Sequence, residues 1–173
     1  MPPSSSSPAP EPSSGLSHVA AGERGPEARM VDVGGKPSTR RSALARACVR
    51  FPDGILQRVL AGSGPKGPVQ EVARVAGILA AKRTSEWIPM CHALALEHVE
   101  IAFRPLDGEC LEVRCAVACS GPTGVEMEAL VGASAAALTV YDMSKALSKG
   151  IAIERVELLE KTGGKSGSWR REP

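Results

Sequence analysis

The chain has 173 residues, 43% hydrophobic and 23% charged, with a formal net charge of +2 at pH 7. That composition suits one ordinary water-soluble domain and is too short for two. No run of 18 uncharged apolar residues occurs, which argues against a membrane span, and five cysteines without CxxC spacing argue against a disulfide scaffold or a cysteine-rich metal site.

Residues 1–29 hold 6 of the 14 prolines and 7 serines with no apolar period, so they read as a disordered tail. They also lack the apolar core of a signal peptide, and a cytoplasmic location is expected. From Ala43 to Phe51 the odd positions are Ala, Ala, Ala, Val and Phe while Arg46 and Arg50 take even ones, a strand period. Asp53 to Ala61 is a short helix candidate. Pro68 opens a second helix, with Val69, Val72, Ala73, Ala76 and Ala80 at spacings of three and four, ending near Pro89. Glu97–Arg104 and Leu111–Cys119 alternate on either side of Asp107-Gly108, a β-hairpin. Thr123 and Glu126 have capping-box spacing and open a helix running to about Ser148. Ile151–Leu159 closes the folded part as a strand. The order β, α, β, β, α, β predicts an α+β fold of the split βαβ, ferredoxin-like kind: an antiparallel sheet with helices packed on one face. The expected organisation is a tail over 1–29, a folded domain over 30–162 and a flexible basic tail over 163–173.

From Ala129 to Tyr141 no charge appears for 13 residues. Such a helix must be covered all round, and the small-residue face of Gly132, Ala133, Ala136 and Ala137 is expected to meet another subunit. The simpler alternative is cover from the earlier helix of the same chain.

The near-neutral total hides a division, with +7 over residues 30–83, −7 over 84–160 and +3 from Lys161 onward. A basic half folded on an acidic half can form a local positive pocket for a small anion without a nucleic-acid surface. Five aromatic residues are also too few for a base-stacking platform. Lys66 and Gly67 stand at a helix entry where an anion is favoured, although from this dipeptide alone a solvated loop lysine is the favoured reading. Cys91 and His92 lie in a connecting segment. Glu128 sits in a helix first turn and, unlike Glu126, is not used by the capping box. Asp142 follows the uncharged stretch with Lys145 and Lys149 at three and four spacing, and is expected to be partly desolvated with its pKa moved toward neutrality. The segment Lys161-Thr-Gly-Gly-Lys165-Ser-Gly is not a P-loop, and a frayed basic tail is its default reading.

Taken together, MVDVGGK, KG at 66–67, VARVAGILAAKRT, IPMCH, GPTGVEMEAL, ALTVYDMSKA and KTGGKSG resemble the cyclic pyranopterin monophosphate synthase family of molybdenum cofactor biosynthesis, from Met30 to Gly167. The resemblance implies a ferredoxin-like subunit assembled as a homo-hexamer, a trimer of dimers. It implies a lyase that converts (8S)-3′,8-cyclo-7,8-dihydroguanosine 5′-triphosphate to cyclic pyranopterin monophosphate with release of pyrophosphate. It assigns Asp142 as the catalytic carboxylate with Lys145 and Lys66 as functional lysines. Met90, Cys91, His92, Met127 and Glu128 match substrate-binding segments, and Arg41, Lys82, Lys161 and Lys165 fall on positions expected to contact the triphosphate or line the pocket. No resident metal or cofactor is implied, and Mg²⁺ accompanying the triphosphate is left open. The chain departs from the family pattern at Pro68, Ala93 and Ser144, where Asp, Pro and Cys are usual. A non-catalytic nucleotide-binding regulatory module of the same fold is the alternative.

Overall fold

A computed structural model describes residues 19–22, 25–62 and 66–172, and the chain divides into two units, 1–32 and 33–173. In the first unit β1 (Val19–Gly22) and β2 (Gly25–Ala28) pair antiparallel, with Val19 opposite Ala28. Residues 19–22 and 25–28 are thus paired strands where a disordered tail was expected. Backbone hydrogen bonds form the ladder, and they need no apolar period. The expectation for residues 1–18 lies outside the described residues.

The second unit runs β3 (Thr39–Arg50), α1 (Ile55–Leu60), α2 (Val69–Lys82), α3 (Thr84–Trp87), β4 (His98–Pro105), β5 (Cys110–Gly121), α4 (Glu126–Ser144), β6 (Ala152–Thr162) and β7 (Trp169–Arg170). The five strands form one antiparallel sheet in the order β4-β5-β3-β6-β7. The β3-α2-β4 crossover leaves a gap filled by β5, and the β5-α4-β6 crossover leaves a gap filled by β3. These are the two interlocked split βαβ units of a ferredoxin-like fold. The alanine-rich segment at 43–51 is a strand because it is central: Ala45 faces Cys115 on one side and Leu158 on the other. Ala43, Ala45, Ala47 and Val49 turn inward, where their small side chains bring α4 close to the sheet.

Among the described residues no helix packs on the opposite face of the sheet. That face is laced by ion pairs that cross the strands, from Arg104 and Arg114 to Glu112, from Glu112 to Arg46, from Arg46 to Glu157 and from Glu157 to Arg171. The Glu112 side chain is completely buried, and only three guanidinium groups make that tolerable.

Helices α2 and α4 pack against each other through two glycines. A Cβ on Gly132 would lie 2.6 Å from the Cys115 Sγ and 3.3 Å from the Gly77 carbonyl, and one on Gly77 would lie 2.9 Å from the Gly132 carbonyl. This contact corrects the expectation for the uncharged helix. Gly132, Ala133, Ala136 and Ala137 are buried within their own subunit, between α2 and the sheet. On these two helices the large apolar side chains left exposed are instead Val72, Val75 and Leu79 of α2 and Leu138 of α4.

Element ends also differ from the sequence reading. The helix expected from Pro68 to Pro89 breaks at Arg83 into α2 and α3. The capping box does not form: Val125 is the N-cap of α4 and no side chain caps it. The helix stops at Ser144 rather than Ser148. The segment after Thr162 is not a detached tail. Gly163 and Gly164 take φ of 90° and 77°, a left-handed conformation that reverses the chain, and Trp169 then pairs with Lys161 and Arg170 with Glu160.

Candidate functional site

The antiparallel packing of α2 on α4 sets the entry of α2 beside the exit of α4. Lys66, just before α2, reaches Asp142 near the end of α4, with Nζ 2.6 Å from Oδ2. Lys145, the C-cap residue, places its Nζ 2.6 Å from Oδ1 of the same carboxylate. Asp142 therefore lies between two ammonium groups, one from its own helical turn and one from a loop 76 residues earlier. All three side chains are about half exposed. The hydrogen bonds from Lys145 and Lys66 lower the Asp142 pKa to about 2, while Asp142 raises that of Lys145. The expectation of a desolvated, near-neutral Asp142 is thus overturned, because the helix end is open to water and two cations favour the ionised form. Lys66 donates its bonds to Asp142, including one to the main-chain oxygen at 3.3 Å, and so does not mark an isolated helix-entry anion site.

A second cluster forms where three strands run off one end of the sheet. The start of β3, the segment after β5 and the turn after β6 enclose a cavity of about 590 Å³ lined by Lys36, Arg41, Lys161 and Lys165 together with Glu126 and Ser166. Arg41 is anchored, its Nε donating to the Gly121 carbonyl at 3.3 Å and Nη2 to that of Pro122 at 3.4 Å. Gly164 passes directly over this guanidinium, in space that any side chain at 164 would need. Lys161 bonds to the Ser166 hydroxyl, and its Nζ lies 3.9 Å from Glu126 Oε1. Glu126, expected to cap α4, turns toward Lys161 across Gly124, whose missing Cβ leaves room for its carboxylate.

The same end of α4 holds Glu128, which is buried, with its pKa raised by burial and by the nearby Glu126 charge. Cys91 is close enough to feel the Glu128 charge, and burial followed by that charge raises its thiol pKa. His92 and Met90 flank it in the connection from α3 to β4 and are partly buried. Met127 lies on the first turn of α4, and Lys82 is exposed on the last turn of α2. The structure therefore brings the predicted residues together in two groups. Lys66, Asp142 and Lys145 form one; Arg41, Lys161 and Lys165 form the other, with Glu128, Cys91 and Met127 at the same end of α4. Asp142 lies sixteen positions along α4 from Glu126, about 24 Å at the α-helical rise. Sequence reasoning did not single out Lys36. It closes the MVDVGGK motif, which carries the family resemblance but gives Lys36 no role by itself.

Among the described residues no cluster of three or more His, Cys, Asp or Glu side chains could hold a metal ion. The chemistry available is that of a paired carboxylate, two ammonium groups, a buried carboxyl that protonates above the ordinary range, and a cavity lined by four cations and one carboxylate.

Residues 30–164 match the MoaC family model. The chain is 52% identical over 158 residues to the cyclic pyranopterin monophosphate synthase of Chloroflexus aggregans, covering 91% of this chain and 94% of that protein. It is 54% identical over 151 residues to the synthase of Thermomicrobium roseum, covering 87% and 90%. It is 49% identical over 156 residues to that of Novosphingobium aromaticivorans, covering 90% and 96%. With its ferredoxin-like core and near full-length matches of this strength, the chain belongs to the MoaC family.

Proposed function

We propose that this chain is a lyase of molybdenum cofactor biosynthesis, converting (8S)-3′,8-cyclo-7,8-dihydroguanosine 5′-triphosphate to cyclic pyranopterin monophosphate and pyrophosphate. The observation that carries the reading is the Asp142 carboxylate bonded at 2.6 Å to both Lys66 and Lys145. A carboxylate with a pKa of about 2 stays ionised at neutral pH and fixes two proton-bearing amines at a defined spacing. Lys145 and Lys66 are then the proton donors, and Asp142 orients them. Glu128, whose burial favours the protonated form, is the carboxyl suited to exchange a proton as the guanine ring opens and the new ring closes. Closing the cyclic monophosphate forms a P–O bond at the α-phosphorus and breaks the one to the departing pyrophosphate. Arg41, Lys161 and Lys165 offset the charge that develops there. Met90, Cys91, His92 and Met127 border the nucleobase, and Lys82 extends the positive rim. No resident metal is called for, and any Mg²⁺ arrives on the triphosphate.

One substrate cannot span two groups at opposite ends of α4, so the working site is shared between subunits. A second copy whose α4 runs antiparallel would set its Asp142 end beside the Glu128 end of the first. The exposed Val72, Val75, Leu79 and Leu138 offer an apolar surface for such a contact. The assembly proposed is the homo-hexamer, a trimer of dimers. No helix among the described residues is long and apolar enough to cross a membrane, and we place the enzyme in the cytoplasm.

The test is incubation of the pure protein with the cyclic dihydro-GTP substrate, following pyrophosphate and the pterin product. Asp142→Asn keeps the shape but loses the charge that holds both lysines, and its rate is expected to fall by ~10² to 10⁴-fold with the assembly intact. Tight substrate binding without turnover by the unmodified chain would instead support a non-catalytic nucleotide-binding module.

A further inference from the structure

Helices α2 and α4 meet through small side chains. The buried residues of α2 are Val69, Ala73, Gly77, Ala80 and Ala81, and those of α4 include Gly132, Ala135 and Ala136. Such a contact fixes how closely two helices approach, but its shallow ridges and grooves give little purchase against sliding along the helix axis. The site depends on that axial position. Lys66 is tied to α2 through Gly67 and Pro68 alone, and it must bring its Nζ to 2.6 Å from Asp142 Oδ2 near the far end of α4. A directional contact has to set the register.

Arg74, on the second turn of α2, makes one. Its Nη1 donates to the main-chain carbonyl of Ile101 in β4, and its guanidinium lies over the Phe103 ring, 5.4 Å from the centroid. Glu71, on the same face of α2, accepts from Nε and from Nη2 at 3.3 Å each and holds the fork in that orientation. A main-chain acceptor in a strand has no rotamers, so the anchor is fixed. Ile101 is buried and sits opposite Cys115 of β5, the residue whose Sγ packs on Gly132 of α4. The strand that anchors α2 is therefore in register with the strand that seats α4.

We propose that Arg74 is a positioning residue for the reaction: by tying α2 to β4 it sets the axial position of that helix and so holds Lys66 on Asp142. The link to turnover rests on the function proposed above, whereas the placement of Lys66 rests on the contacts alone.

The experiment is limited acetylation of the full-length protein with acetic anhydride, quantified lysine by lysine by mass spectrometry, in wild type, Arg74→Met and Arg74→Lys. Steady-state kinetics with the cyclic dihydro-GTP substrate run alongside. Lys145 is the internal reference, because it shares one turn of α4 with Asp142 and its pairing does not pass through α2. In Arg74→Met, Lys66 should acetylate about three- to fivefold faster, as expected for release of one exposed ion pair, while Lys145 is unchanged. In turnover kcat should fall by roughly 10- to 10²-fold with KM within about threefold, the pattern of a displaced group that acts in the transition state. Arg74→Lys keeps one donor and the charge over Phe103. It should lie between the two, and it carries the comparison if the methionine variant does not fold. Unchanged Lys66 acetylation in Arg74→Met, whatever happens to the rate, would overturn the inference. So would equal rises at Lys66 and Lys145, which mark a general loosening of the fold. A selective rise at Lys66 in a protein that never turns over the substrate would keep Arg74 as the register contact and sink the proposed reaction.

Discussion

Replacing Gly132 by alanine tests whether the glycine contact between α2 and α4 is what aligns Lys66 with Asp142. On helix propensity alone the change should stabilise α4 by about 1 kcal/mol. The packing opposes it. The new methyl would sit 2.6 Å from the Cys115 Sγ, which is fully buried in the central sheet, and 3.3 Å from both the Ala81 Cβ and the Gly77 carbonyl. The cost of overpacking is about 1–3 kcal/mol, and here the backbone of α2 must give way, so a net loss of roughly 1–2 kcal/mol is expected. With a urea slope of about 2 kcal/mol/M the unfolding midpoint should fall by roughly 0.5–1 M at unchanged slope. Activity should suffer more than stability, because a shift of α2 moves Lys66 relative to Asp142, and a misplacement of about 1 Å costs on the order of 10²-fold. Gly77→Ala should behave alike, its methyl lying 2.8 Å from the Ile101 Cδ1 and 2.9 Å from the Gly132 carbonyl. The double variant should lose less than the sum, since the helices are already apart. A Gly132→Ala protein as stable and as active as wild type would refute the close-contact reasoning.

Three further outcomes follow from the same structure. Glu112→Ala strands Arg46, Arg104 and Arg114 on the open face of the sheet and should lower stability by about 3 kcal/mol in urea unfolding. Although burial alone would raise it, the Glu112 pKa is lowered by Arg114, Arg104 and Arg46. Its contribution is therefore complete above the unfolded glutamate value and lost as pH falls through the folded one, and the variant should show a shallower acid decline of melting temperature. Ser144 has a buried hydroxyl without a hydrogen-bond partner among the described residues, so Ser144→Ala should raise stability by about 1–2 kcal/mol; a lower melting temperature would show that the hydroxyl is satisfied. Asp142 stays ionised down to about pH 2, so the acid limb of kcat/KM should lie well above that and should move in Glu128→Gln, the carboxyl whose pKa is raised.

Much of the fold was legible in the sequence because its signals are local. The period-two runs at 43–51, 97–104 and 111–119 and the three-and-four spacing after Pro68 each report one buried face, and together they yield the βαββαβ order and the ferredoxin-like fold. The Asp142–Lys145 pair was visible for the same reason, being one helical turn apart. The family motifs supplied the remaining site residues by name, but no motif contains a distance. That Lys66 meets Asp142 across 76 residues, that Arg41, Lys161 and Lys36 share one cavity, and that these groups stand at opposite ends of α4 are consequences of strand order and helix packing.

Where the sequence reading failed, a tertiary contact outweighed a local preference. Thr123 and Glu126 have capping spacing, yet Glu126 turns to Lys161 because Gly124 leaves it room. The small-residue face of α4 looked like a subunit contact, yet Gly77 on α2 was small enough to fill it from within the chain. Asp142 looked desolvated after 13 uncharged residues, yet the helix ends at the surface with two ammonium groups waiting. Periodicity determines which face of an element is buried. Only the assembled structure determines what it is buried against, because that depends on chain segments whose separation in sequence carries no trace of their proximity.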